Sequence, residues 1–99
     1  MYLTPHILQI RKLCEKYKVE RLYAFGSVLT DRFSENSDVD FLYTFKSDVP
    51  LLEIVDHYFN FQNDLEKTLC RMVDLVSEKD LKNPYFIKEV NANKQLIYG

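Results

Sequence analysis

Little in this sequence marks a specialised chain. Its two cysteines, Cys14 and Cys70, have neither CxxC nor zinc-like spacing, which argues against a disulfide scaffold or a structural zinc site. No apolar run is long enough to span a bilayer, and the first residues carry no signal-peptide pattern. The formal net charge is −2, without the basic excess of a dedicated nucleic-acid surface. Two glycines and three prolines, none of them clustered, leave no linker, repeat or low-complexity segment. What remains is 99 residues with 46% hydrophobic and 28% charged content. That composition suits one soluble domain, residues 1–99, around one core. Cys14 shares a helical stripe with Ile10 and Tyr17, so it reads as a buried free thiol in a cytoplasmic protein.

Apolar periodicity predicts the order α-β-(α)-β-α-β-α. A first helix runs from Thr4 to Tyr17, with Thr4 as cap and Pro5 in the first position. Val19 to Phe25 is a strand, and Val28 to Arg32 is at most a short helix. A polar loop at Ser34–Ser37 leads into a second strand, Val39 to Phe45. After a turn at Lys46–Pro50, a long helix spans Leu51 to Leu69, with Leu51, Val55, Tyr58, Leu65 and Leu69 on one face. Arg71 to Ser77 forms a third strand. Asn83-Pro84 opens a last helix to about Asn91, and Gln95 to Tyr98 reads as a short edge strand. The fold class is therefore α/β (α+β), a small mixed sheet with its helices largely on one face. Val39, Phe41, Tyr43 and Phe45 should meet the helices, which turns Asp38 and Asp40 to the open face.

Residues 26 to 40 carry the chemistry. Gly26-Ser27 follows one apolar strand, and Asp38-Val39-Asp40 opens the next. Alternate strand residues share a face, so the two aspartates project side by side and can hold Mg²⁺, a hard cation that takes oxygen ligands. Adjacent carboxylates repel each other, and a metal relieves that cost. Gly26 lets the backbone approach a phosphate, while Ser27 can cap a short helix whose free N–H groups favour an anion. A Gly-Ser turn or an Asp-x-Asp pair is common enough alone. Their combination across two hydrophobic strands points to a nucleoside triphosphate site. A third aspartate, Asp74, lies inside the strand Met72–Val76 and must be metal-bound, paired with Arg71 or a lysine, or placed at an edge. Glu66 and Glu78 are weaker donors.

The segment Leu22-Tyr-Ala-Phe-Gly-Ser to Ser37-Asp-Val-Asp-Phe-Leu resembles the signature of the DNA polymerase β-like nucleotidyltransferases, and the small size resembles their minimal (MNT) branch. Close similarity covers Leu22 to Phe45. Many relatives have a basic residue and a glycine where this chain has Thr30 and Asp31, so either one phosphate contact is missing or Arg32 supplies it. The resemblance implies a nucleotidyltransferase-like fold with its site on the open face. It makes Asp38, Asp40 and Asp74 the catalytic metal ligands, two Mg²⁺ ions the cofactors and ATP the donor, since no residue visibly reads adenine. Gly26, Ser27, Arg32 and Ser37 become the nucleotide contacts. The reaction implied is transfer of AMP to a hydroxyl.

Such a short chain offers no further domain for an acceptor, so a partner protein is expected to present one. MNT proteins are similar to antitoxins that adenylylate a tyrosine of a HEPN-domain toxin. The toxin half is a poor match, because no arginine stands four to six residues before His6 or His57. Neutralisation by binding alone and small-molecule transfer, with a homodimer as one assembly, are the alternatives.

Overall fold

The structure, a computed structural model, describes residues 1–99. A 3₁₀ turn at Thr4–His6 leads into helix α1, Ile7–Lys16. Strand β1 is Val19–Phe25, followed by a 3₁₀ turn at Gly26–Leu29 and strand β2, Val39–Phe45. Helix α2 covers Leu51–Leu69, strand β3 Val73–Ser77, helix α3 Pro84–Asn93 and strand β4 Gln95–Tyr98. The sheet order is β3-β2-β1-β4. β1 runs antiparallel to both β2 and β4, whereas β2 and β3 are parallel. The sheet is therefore mixed, and the α2 crossover is what permits its one parallel pair.

Helices α1 and α2 cover one face. Ile10, Leu13, Cys14, Phe61, Leu65 and Leu69 pack there against Leu22, Ala24, Val39, Phe41, Phe45 and Leu75. Tyr43 lies at the margin of that cluster, as the strand alternation requires. Helix α3 sits on the opposite face, where Val90 joins Phe25 and Leu42 in a much smaller cluster. Leu42 is therefore buried although it points away from the main core, and the open face is open only beside it.

Several local expectations are corrected. Thr4 caps nothing: its residue sits inside the 3₁₀ turn, and α1 proper begins at Ile7 with no side-chain cap. The short helix lies at Gly26–Leu29 rather than Val28–Arg32. In α2, Leu51 and Val55 are exposed, and the inner face is Ile54, Tyr58, Phe61, Leu65 and Leu69. The first turn of α2 is exposed throughout except for Ile54, so the buried stripe starts there and runs on through Phe61. Asn83 does cap α3, its Oδ1 accepting from the N–H groups of Tyr85 (2.9 Å) and Phe86 (3.3 Å).

The outer edge of β3 is shielded by one face of α2. Tyr58 donates its hydroxyl to Leu75 O (3.3 Å) and Gln62 donates Nε2–H to Val73 O (2.9 Å). Glu66 Oε2 accepts from Val73 N–H (2.9 Å). Residues four apart on a helix are neighbours, so the three side chains occupy edge groups that would otherwise template another strand.

Candidate active site

Asp40 and Asp74 are direct partners across the parallel β2–β3 pair. Partnered residues of adjacent strands point to the same face about 4.8 Å apart, so both aspartates share the face away from the main core. Asp38 stands just before β2, two residues from Asp40. Its charge acts on Asp40 as well, for the Asp40 carboxyl is pushed up to about 6 by burial, by Asp74 and by Asp38, in that order. Asp40 is half-buried, and Asp38 and Asp74 are exposed.

None of the three takes part in an ion pair. Arg71, the obvious partner for Asp74, is committed elsewhere. Its guanidinium stacks on Tyr2 and Phe33, 4.8 and 4.5 Å from their ring centres, and donates to Ser37 O at 3.0 Å and to Ser34 O. The weaker donors are engaged too. Glu66 holds Val73, and Glu78 accepts from Thr44 Oγ1 (2.9 Å) and Arg21 Nε (3.2 Å).

The carboxylates stand as neighbours rather than as a closed cage, since no three His, Cys, Asp or Glu donors are gathered around one point. Mutual repulsion favours that spread. The donor set still fits a hard divalent cation: it is all oxygen, formally anionic and uncompensated by any lysine or arginine.

Gly26 shows why the two halves of the motif belong together. Its φ is +80°, and a Cβ there would come within 3.3 Å of Asp40 Cγ and closer still to Oδ2. The left-handed backbone and the close carboxylate both demand glycine. Its first service is thus to Asp40, ahead of any phosphate. Ser27 follows inside the 3₁₀ turn and does not cap it, because the N-cap position is Phe25. Its carbonyl instead accepts from Thr30 N–H and Thr30 Oγ1–H, both at 2.9 Å.

A cavity of about 510 Å³ opens between this turn and α3. Gly26, Ser27, Thr30 and Arg32 form one wall, and Phe86, Glu89, Val90 and Asn93 the other. Phe25 contributes to the floor and is the cross-strand partner of Asp40. The cavity therefore begins where the acidic cluster ends, and its size suits a small organic ligand. Ser37 does not line it. The Ser37 hydroxyl accepts from Ser34 N–H (3.0 Å) and closes the loop before Asp38, the local side-chain-to-backbone bond that serine favours in turns. The α3 wall leaves no signal in the sequence that points to a site. The spacing Phe86, Glu89, Val90, Asn93 marks one helix face, but a mixed aromatic and polar face reads as ordinary surface until the fold sets it against Gly26.

The sequence matches the polymerase beta, nucleotidyltransferase family over residues 8–99. The chain belongs to the polymerase β-like nucleotidyltransferases. A Thermococcus cleftensis relative named protein adenylyltransferase MntA is 33% identical over 81 residues, 82% of this chain and 75% of that one. A solved structure, provisionally named a minimal nucleotidyltransferase, aligns over 94% of this chain and 90% of its own, with 29% identity and TM-score 0.75. The same fold recurs at 19% identity in a Shewanella oneidensis complex of a tri-AMPylated HEPN toxin with its MNT antitoxin. That alignment covers all of this chain and 73% of the other, with TM-score 0.67. Membership in the family makes the chain a nucleotidyltransferase. No helix is long and apolar enough to cross a membrane.

Proposed function

We propose that this nucleotidyltransferase is the antitoxin of a toxin–antitoxin pair, moving AMP from ATP to a tyrosine hydroxyl of a HEPN-type partner. One observation carries the reading. Asp40 and Asp74 share a sheet face, with Asp38 close enough for its charge to act on Asp40, beside a position that only glycine can fill, and none of the three carboxylates is ion-paired. The adenylyltransferase name of the relative and the toxin–antitoxin setting of the structural neighbour support the donor and the partner.

Asp38, Asp40 and Asp74 would hold Mg²⁺, two ions by the family pattern. Bound there, the cation neutralises charge on the triphosphate and acidifies the attacking hydroxyl. Gly26 and Ser27 bring backbone N–H groups to the β- and γ-phosphates, and Arg32 contributes the cation that Thr30-Asp31 withholds. Asp74, on the edge strand and exposed, is placed to take the proton of the incoming hydroxyl. Attack at the α-phosphorus joins oxygen to phosphorus and breaks the bond to pyrophosphate, which leaves. Both cysteines are free, in keeping with a cytoplasmic location.

The test is transfer of label from α-³²P-ATP with Mg²⁺ to the co-expressed HEPN protein. Label on a partner tyrosine, lost in the Asp38→Asn, Asp40→Asn double variant, is the expected outcome. Tight partner binding without label would replace catalysis by neutralisation through binding. Label on an aminoglycoside in the absence of partner would make the acceptor a small molecule.

A further inference from the structure

We infer that the α3 wall of the cavity is a nucleobase subsite, with Phe86 as its stacking platform and Glu89 as the group that selects a base bearing an amino group. The inference rests on the nucleotide reading above and extends it to base choice.

The two walls of the cavity differ in chemistry. The turn side offers Ser27, Thr30, Arg32 and the backbone at Gly26, which suit anionic oxygens. The helix side offers Phe86, Val90, Glu89 and Asn93. The cavity's one cation, Arg32, stands on the turn side, while the helix side carries the carboxylate of Glu89. The triphosphate is therefore better held on the turn side, and the group attached to it reaches across to α3. Phe86 and Val90 on that side, with Phe25 and Leu29 from the turn side, give apolar surface suited to a flat aromatic ring.

Phe86 is exposed enough to receive such a ring, and its place is fixed. Phe25 contacts it perpendicularly, with ring centres 6.0 Å apart, and Asn83 Oδ1 accepts from its N–H. Glu89 and Asn93 lie one and two turns farther along the same helix face. Asn93 donates Nδ2–H to Glu89 O at 3.2 Å, which steadies its amide at the cavity margin. Glu89 makes no ion pair. Its acceptor-only carboxylate therefore meets the edge of the bound ring and favours an exocyclic amine, as adenine carries, over a carbonyl. A site built to accept that hydrogen rejects a ring that lacks it.

Titration calorimetry in Mg²⁺ would compare ATP, UTP, purine riboside triphosphate and inorganic triphosphate on the wild type, Phe86→Ala, Phe86→Tyr and Glu89→Ala. Wild type should bind ATP more tightly than the other three. Phe86→Ala should weaken ATP about ten- to a hundredfold, the range of base–aromatic stacking, and leave inorganic triphosphate within about twofold. Phe86→Tyr should retain ATP affinity. In Glu89→Ala, ATP should fall to the level of purine riboside triphosphate, which lacks only the amine.

Equal losses of ATP and inorganic triphosphate in Phe86→Ala would mean a folding effect and overturn the subsite. Unchanged ATP affinity with lost transfer to the partner would put the acceptor, not the base, in the cavity, and overturn it equally. Wild type that binds inorganic triphosphate as well as ATP would sink the base subsite alone. Wild type that binds neither would sink the nucleotide reading itself.

Discussion

Asp40 is the residue on which the site's energetics turn. Its carboxyl has an ordinary value of 3.8 and stands at about 6 in the fold. An acid whose folded value is raised binds its proton more tightly folded than unfolded. Below about pH 4 both states are protonated and the group costs nothing. As pH rises from 4 to 6 the unfolded chain ionises first, so stability falls, and above 6 the full cost persists. Two pH units set a ceiling near 3 kcal/mol, and solvent screening of a half-buried group reduces it to the order of 1 kcal/mol. Metal-free Asp40→Asn should therefore melt at or above wild type at pH 7, with the gap closing by pH 4. Mg²⁺ should raise the wild type more than the variant. Thermal unfolding in EDTA at both pH values decides it; a variant equally weakened at pH 4 and pH 7 would show that Asp40 is structural.

At the scale of elements, the catalytic geometry depends on a loop that has almost no regular structure. Residues 30 to 38 carry Asp38 to the start of β2, and Arg71 pins them. The guanidinium stacks on Phe33 from inside the loop and Tyr2 from outside it, and donates to two loop carbonyls. Because Arg71 stands two residues before β3, the same side chain ties Asp38's loop to Asp74's strand. Charge-assisted bonds to carbonyls contribute roughly 1.5–3 kcal/mol, so Arg71→Ala should lose stability of that order and need several times more Mg²⁺ for half-maximal transfer. Arg71→Lys retains the charge without the planar fork and should recover stability better than Mg²⁺ affinity. An unchanged Mg²⁺ requirement in a folded Arg71→Ala protein would refute this positioning role.

The same contrast explains what could be read in advance. Strands β1 to β3 and the face carrying Asp40 were legible because alternation is a local property with period two. Asp74 could be assigned as a third carboxylate only by resemblance, and its register beside Asp40 comes from the fold, since pairing between distant strands leaves no local trace. The stripe of α2 was misplaced for a related reason. Leu51 and Val55 have helical spacing, but spacing alone does not say which turns of a helix are covered by the rest of the fold, and these two stay exposed. Arg71 looked like a charge partner for Asp74, and only the fold brings Tyr2 and Phe33 around it. Helix α3 was found as an element and missed as a wall.

Across the whole molecule, stability is unevenly shared, and that has a consequence for ligand binding. Nineteen buried residues join α1, α2 and one face of the sheet, while α3 is held to the other face by Phe25, Leu42 and Val90. Weakly packed elements open at low free energy, so α3 should exchange its amides faster than α1 or α2 in the free protein. A nucleotide spanning the turn at Gly26 and the face of α3 adds contacts to the element that has fewest. At a hundredfold excess over Kd, Mg·ATP stabilises the fold by about 2.7 kcal/mol, a rise on the order of 10 °C for a domain of this size. Hydrogen exchange should locate much of that gain in residues 84–93 and the turn at 26–29, with little change in 7–16. Protection confined to the acidic cluster would mean that Mg²⁺ alone is bound. Protection spread evenly over the chain would mean that ligand binding acts only through global unfolding, and that α3 closes on nothing.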